Sequence, residues 1–184
     1  MVFSYRAFFG GAREGGCLFC PERRSELKTI VHEDDKILVI KNRGLAGAEH
    51  WLIVPHRHIR DIESLDQADL PLLEAMEKVK YALLDEHYPN VPRSEIYAGY
   101  HRGHRAIGGL FGSFGWPDIV SIHHLHLHVI VQPYWYTSWF KYPFWFPIMW
   151  VTDGWVLRKF KAGSSPEAKS ENGTGTEAIK KITG

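Results

Sequence analysis

The chain has 184 residues, 45% of them hydrophobic, and a formal net charge of +1 with histidine neutral. That length suits one domain with a sizeable core, and the near-zero charge argues against a strongly electrostatic binder of nucleic acid or membrane. Two cysteines are too few for a disulfide scaffold, so the expected place is intracellular, in cytoplasm, nucleus or both.

Residues 1–16 read as a flexible leader rich in glycine and aromatics, without the apolar run and cleavage pattern of a secretory signal. A domain is expected over 17–161. It opens on Cys17-Leu18-Phe19-Cys20-Pro21, a tight knuckle. Thr29–His32 and Lys36–Ile40 predict a hairpin turning at Glu33-Asp34-Asp35. A Gly- and Ala-rich loop from Asn42 to Glu49 leads to a strand over His50–Val54, stopped by Pro55.

Ser64-Leu65-Asp66-Gln67 has the form of a capping box, and Asp69 before Pro71 is an equal alternative start. Leu72, Leu73, Met76, Val79, Leu83 and Leu84 then keep one helical stripe as far as His87-Tyr88-Pro89. That stripe is core, not a cofactor box. Glu95–His101 predicts a strand. Arg102–Pro117 is a long glycine-rich loop, and loops of that size are usually functional or mobile.

The next stretch, Ser121-Ile122-His123-His124-Leu125-His126-Leu127-His128-Val129-Ile130, alternates histidine with aliphatic residues from His124 onward. Period-two alternation predicts a half-buried strand with His124, His126 and His128 in a row, about 7 Å apart. Three imidazoles in line can hold a metal, or carry out nucleophilic and acid–base chemistry on a bound anion. A run of exposed histidines is the bland alternative. Tyr134–Trp155 follows with five of the seven tryptophans, too broken by Lys141, Pro143 and Pro147 to span a membrane. Packing over the sheet or at a subunit interface suits it best, and an interfacial membrane contact less well. The Ser-, Gly-, Lys- and Glu-rich residues 162–184 read as a disordered tail.

The His-φ-His-φ-His-φ-φ pattern, with φ apolar, resembles the histidine triad (HIT) superfamily. Other parts agree in order: His50-Trp51-Leu52-Ile53-Val54-Pro55-His56-Arg57-His58 is similar to the family's His, aliphatic run and Pro-x-x-His. Gly99-Tyr100-His101 and the Ser-Ile-x-His approach to the triad resemble the Hint and aprataxin side. The resemblance implies an α+β HIT fold: an antiparallel five-stranded sheet, one main helix and a shorter C-terminal helix, in a homodimer. It implies that His126 attacks the α-phosphorus of a nucleotide and that His128 bonds a non-bridging phosphate oxygen. Ser121 would serve the leaving group, His50 would support the nucleophile's tautomer, and Asn42 would stand where many relatives place an Asp on the ribose.

Structural zinc is normally tetrahedral, so Cys17-x-x-Cys20 needs two further ligands. The resemblance supplies His58 and His124, with His56 and His123 as nearby alternatives. The implied activity is hydrolysis of AMP conjugates of the nucleoside phosphoramidate type. Alternatives are an aprataxin-like AMP-DNA hydrolase, a dinucleoside polyphosphate hydrolase, a nucleotidyltransferase, and, outside enzymes, a nucleotide-binding regulator or scaffold. No cysteine follows Cys20, which argues against the DNA-repair reading because aprataxins carry a second zinc module. Nucleic acid is therefore a possible but not a favoured partner.

Overall fold

Runs of aliphatic and β-branched residues form the strands, as their propensities dictate. A computed structural model describes residues 16–27, 29–103, 105–109, 112–116, 122–143 and 146–163. The strands are β1 (Ile30–Glu33), β2 (Ile37–Lys41), β3 (Gly47–Pro55), β4 (Ile96–His101), β5 (Arg105–Gly109), β6 (Gly112–Trp116), β7 (Leu127–Pro133) and β8 (Trp150–Thr152). The helices are α1 (Leu70–His87), α2 (Trp135–Phe140) and α3 (Asp153–Gly163). The main sheet runs β1-β2-β3-β7-β4-β8, and each neighbouring pair is antiparallel.

The sheet thus has six strands rather than the expected five. The additional one, β8, comes out of the aromatic segment and pairs with Gly99–His101 of β4. The Gly- and Ala-rich loop is shorter than expected, because β3 already begins at Gly47. The β1–β2 turn is held by Asp34, whose Oδ1 accepts from the backbone N–H groups of Lys36 and Ile37, each at 2.8 Å. Arg102–Pro117 is not a plain loop among its described residues: β5 and β6 pair there as a separate hairpin. Glycine's low strand propensity hid it.

Of the two expected starts of the main helix, the structure takes Asp69 before Pro71 rather than Ser64. Asp66 caps a 3-10 turn, Gln67–Asp69, that leads into α1, accepting from Ala68 N at 2.8 Å while Asp69 accepts from Asp66 N at 2.9 Å. An Asp in both positions closes the reciprocal pair that Ser64 and Gln67 were expected to form.

One sheet face carries Ile37, Val39, Trp51, Ile53, Leu127, Val129, Val131 and Tyr100, and packs on Leu73, Met76 and Leu84 of α1 and on Val156 and Leu157 of α3. A buried ion pair, Lys80 with Asp153, joins α1 to the start of α3. The other face carries the histidines. It is covered as well, by Phe19 of the N-terminal knuckle and by Tyr142 and Trp150. The triad segment is therefore buried on both faces rather than half-buried, and its regular strand begins only at Leu127.

Gly99 is required by a close approach. A Cβ built there would lie 2.4 Å from the carbonyl oxygen of Val151 and 2.7 Å from Cε2 of Trp150. Gly99→Ala is expected to lower stability by about 1–3 kcal/mol, the usual cost of overpacking, because backbone on β8 must shift. Urea unfolding of the variant beside the wild type measures it.

Candidate active site

Antiparallel pairing sets Leu52 opposite His128 and His50 opposite Ile130, which puts His50 and His128 on one face. Their rings meet with His50 Nε2 2.9 Å from His128 Nδ1. His50 Nδ1 lies 2.9 Å from the Gly44 carbonyl, which can only accept. Neutral His50 therefore carries its proton on Nδ1, its Nε2 accepts from His128 Nδ1–H, and His128 Nε2 is left with a lone pair. Asn42 is engaged here too: its Nδ2 is 3.1 and 3.3 Å from the two nitrogens of His50.

His126 is held by another device. Its Nδ1–H donates to the backbone carbonyl of His124 at 2.6 Å, so the lone pair of the neutral ring sits on Nε2. The resemblance assigned tautomer support to His50. In the structure His50 bonds to His128, and a main-chain oxygen does that work for His126. The rings of His126 and His128 are 4.8 Å apart, and Phe19 meets His126 edge-on at 5.7 Å.

His124 turns away from both. Its Nε2–H donates to Pro55 O at 2.8 Å, which frees Nδ1 to face Cys17 Sγ at 3.3 Å and Cys20 Sγ at 3.7 Å. His58 Nδ1 is 3.2 Å from Cys20 Sγ. The ligand atoms of Cys17, Cys20, His58 and His124 all lie within 4.8 Å of one another, a group that could hold a metal ion. His56 is elsewhere, with Nδ1 2.8 Å from Arg24 and Nε2 2.8 Å from the Asp34 carbonyl. Ser121 lies outside the described residues, as do the leader up to residue 15 and the tail from 164.

Burial sets the charge state of the cluster. It lowers His126 and takes His128 well below the ordinary 6.5, with the neighbouring His126, His101 and His50 adding to the effect on His128. His50 falls to about 4 and His124 to about 4, again through burial first. His101 falls to about 3 by burial, reinforced by His126 and Lys141. The imidazoles are neutral at pH 7, which leaves lone pairs for attack and for ligation. Cys20 is pushed up to about 11, by burial and then by Cys17, so it stands as a thiol that a bound cation would convert to thiolate.

Three functional candidates escaped the sequence reading. His101, His128, Tyr142 and Trp150 form a cage in which all six ring pairs have centroids 5.0–5.5 Å apart. Each ring carries a buried polar atom without a hydrogen-bond partner among the described residues: His101 Nδ1, His128 Nε2, Tyr142 Oη and Trp150 Nε1. Such an atom costs about 1–3 kcal/mol. His101 stood in a quoted motif without a role. Nothing local in the sequence marked Tyr142 or Trp150 among so many aromatics.

Comparison with known proteins follows the same geometry. The family model described as "Scavenger mRNA decapping enzyme C-term binding" matches residues 16–107, half of the chain, and stops short of the triad segment, which agrees with it independently. The chain belongs to the histidine triad superfamily. Relatives include the "Bifunctional adenosine 5'-phosphosulfate phosphorylase/adenylylsulfatase HINT4" of Arabidopsis thaliana, 28% identical over 121 residues, 64% of this chain and 71% of the relative. The "Adenosine 5'-monophosphoramidase HINT3" of Xenopus tropicalis is 28% identical over 62% of this chain and 66% of its own length. Aprataxin of Danio rerio is 29% identical over 58% of this chain, which spans only 28% of the aprataxin. No helix among the described residues of this HIT protein is long and apolar enough to cross a membrane.

The depressed histidines make stability depend on pH. Below the ordinary pKa of 6.5 the unfolded chain takes up protons that folded His50 and His101 refuse, their folded values being about 4 and about 3. Their contribution is complete above pH 6.5 and is lost as pH falls toward 4. His101→Phe keeps a neutral ring and removes one of these protons. Between pH 6 and 4.5 its unfolding free energy should fall less steeply than that of the wild type, by about 1.4 kcal/mol per pH unit. Urea titrations across that range read the difference in slope.

Proposed function

We propose that this HIT protein hydrolyses AMP conjugates of the nucleoside phosphoramidate type through a covalent nucleotidyl intermediate on His126. The observation that carries the reading is the bond from His126 Nδ1–H to the His124 carbonyl, which leaves a buried, neutral ring with its lone pair on Nε2. That nitrogen attacks the α-phosphorus, the bond from phosphorus to the leaving amine breaks, and the amine departs with a proton. Ser121 is proposed to pass that proton by its family position. Water then cleaves the phosphorus–Nε2 bond, releasing AMP and restoring the imidazole.

As the ring gains positive character in the first step, the His124 carbonyl oxygen at Nδ1–H stabilises it. His128 bonds a non-bridging oxygen through Nε2, which takes a proton from solvent as the phosphoryl anion binds, and passes polarity through His50 to the Gly44 carbonyl. The phosphoramidase and adenylylsulfatase names of the relatives agree with attack at an adenylyl phosphorus. Asn42, whose Nδ2 stands beside His50, is proposed to reach the ribose hydroxyls.

His126→Ala should abolish a trapped AMP adduct and lower turnover of an adenosine phosphoramidate by at least three orders of magnitude, on the scale of losing a nucleophile. A wild-type protein that forms no adduct and turns over no AMP conjugate would sink the reading.

The quartet of Cys17, Cys20, His58 and His124 is proposed to bind one structural zinc ion. Zinc–sulfur bonds of about 2.3 Å and zinc–nitrogen bonds of about 2.0–2.1 Å imply tetrahedral edges of roughly 3.3–3.8 Å. The sulfur–nitrogen distances of 3.2, 3.3 and 3.7 Å are close to them, and the group, spread over up to 4.8 Å, would draw in slightly around an ion. The bond from His124 to Pro55 O is the orienting contact that metal-bound histidines use. Zinc there would tie the knuckle to the residue whose carbonyl holds His126. Metal analysis should find about one zinc per chain, and Cys17→Ser with Cys20→Ser should remove it and lower the Tm. Less than half an equivalent in the wild type refutes the assignment.

A further inference from the structure

The unpartnered atoms of the four-ring cage call for a physical reason. Tyr142 and Trp150 are each 1% exposed and His128 is 5% exposed, so water does not satisfy them. Packing alone needs only the rings. A phenylalanine in place of Tyr142 would fill the same space without leaving a hydroxyl stranded. Four such atoms gathered beside a reactive group fit a bound polar partner.

Their chemistry selects the partner. The indole of Trp150 only donates, and burial raises the Tyr142 hydroxyl, so it stays protonated and donates as well. No carboxylate belongs to the cage, and the cation Lys141 lies 5.6 Å from the Tyr142 ring centre. Two fixed donors, a third group that protonates on demand and a nearby cation together suit an anionic oxygen. Position agrees. The Cε2–Cζ2 edge of Trp150, next to Nε1, sits over Gly99, which pairs with His128 across β4 and β7.

We propose that Tyr142 Oη–H and Trp150 Nε1–H donate hydrogen bonds to the phosphoryl oxygens of the bound nucleotide, completing with His128 Nε2 the cage that holds the developing negative charge. This rests on the reading of His126 as a nucleophile toward phosphorus. In the structure the rings fill the cage themselves, so an entering oxygen displaces ring contacts and replaces them with hydrogen bonds. The backbone of Tyr142 is anchored: the residue follows α2, its own N–H is bonded to Thr137 O at 2.9 Å, and α2 is tied to the start of β3 through Thr137 Oγ1 and Ala46 O at 2.6 Å.

Tyr142→Phe separates the roles, because it keeps the ring and deletes only the hydroxyl. With an adenosine phosphoramidate as substrate, kcat should fall on the order of 10²-fold, the usual effect of removing one oxyanion donor, with KM changed less than about threefold. Its Tm should stay the same or rise. Affinity for AMP, measured by calorimetry, should weaken about tenfold while affinity for adenosine stays unchanged. The Trp150 indole N–H resonance, assigned through Trp150→Phe, should move on adding AMP and not on adding adenosine. Wild-type kcat in Tyr142→Phe, equal losses for AMP and adenosine, or an unmoved indole resonance each overturns the assignment while leaving the hydrolase reading intact. A wild type that neither binds AMP nor turns over the conjugate instead overturns the hydrolase reading itself.

Discussion

The pairing of β3 with β7 is the constraint on which the site depends. It sets Leu52 against His128 and His50 against Ile130, and residues opposite one another in an antiparallel pair share a face. A slip of one residue would send His128 into the α1 side and bring Val129 out beside His50. The aliphatic residues between the histidines prevent it, since Leu127, Val129 and Val131 are anchored in the core beneath α1. The chemistry of one face is thus held in register by the hydrophobicity of the other. The same principle places Gly99 beside His128, where only a residue without a side chain lets β8 approach.

The triad segment also shows how three similar side chains acquire different work from their backbone surroundings. His124 and His126 lie just before the regular strand, where carbonyls are free to accept side-chain bonds. Pro55 O takes the Nε2–H of His124, and His124 O takes the Nδ1–H of His126. His128 lies inside β7, where main-chain groups are committed to the ladder, and so finds its partner in another side chain, His50. Each tautomer follows from that difference. The nitrogen left bare is Nδ1 facing sulfur in the first case, and Nε2 in the other two.

Much of this was legible in the chain. The alternation of His124–His128, the strand ending at Pro55 and the stripe from Leu72 to Leu84 are local patterns, and local patterns survive folding. The grouping of Cys17 and Cys20 with His58 and His124 was implied by family resemblance, and the four residues do meet. What could not be read depends on distant pairing. Trp150 becomes a strand residue only because Gly99–His101 accepts it, and Tyr142 reaches the histidines only through the turn after α2. The hairpin over 105–116 was hidden by glycine, and the choice between the two expected starts of α1, Ser64 and Asp69, was decided only by the fold. Distance in sequence, rather than weakness of signal, accounts for the first two. Local ambiguity accounts for the others.

The contact between Cys17 and His124 joins residues 107 positions apart. In a chain made from its N-terminus at about 5–20 residues per second, Cys17 emerges roughly 5–20 s before His124 exists, and only Cys20 has an earlier histidine partner, His58. During that interval the knuckle has no place to dock, and its sulfurs are open to oxidation or to foreign metal. Completion of the triad segment ends that exposure, so the order of synthesis makes the last-formed part of the site the guardian of the first.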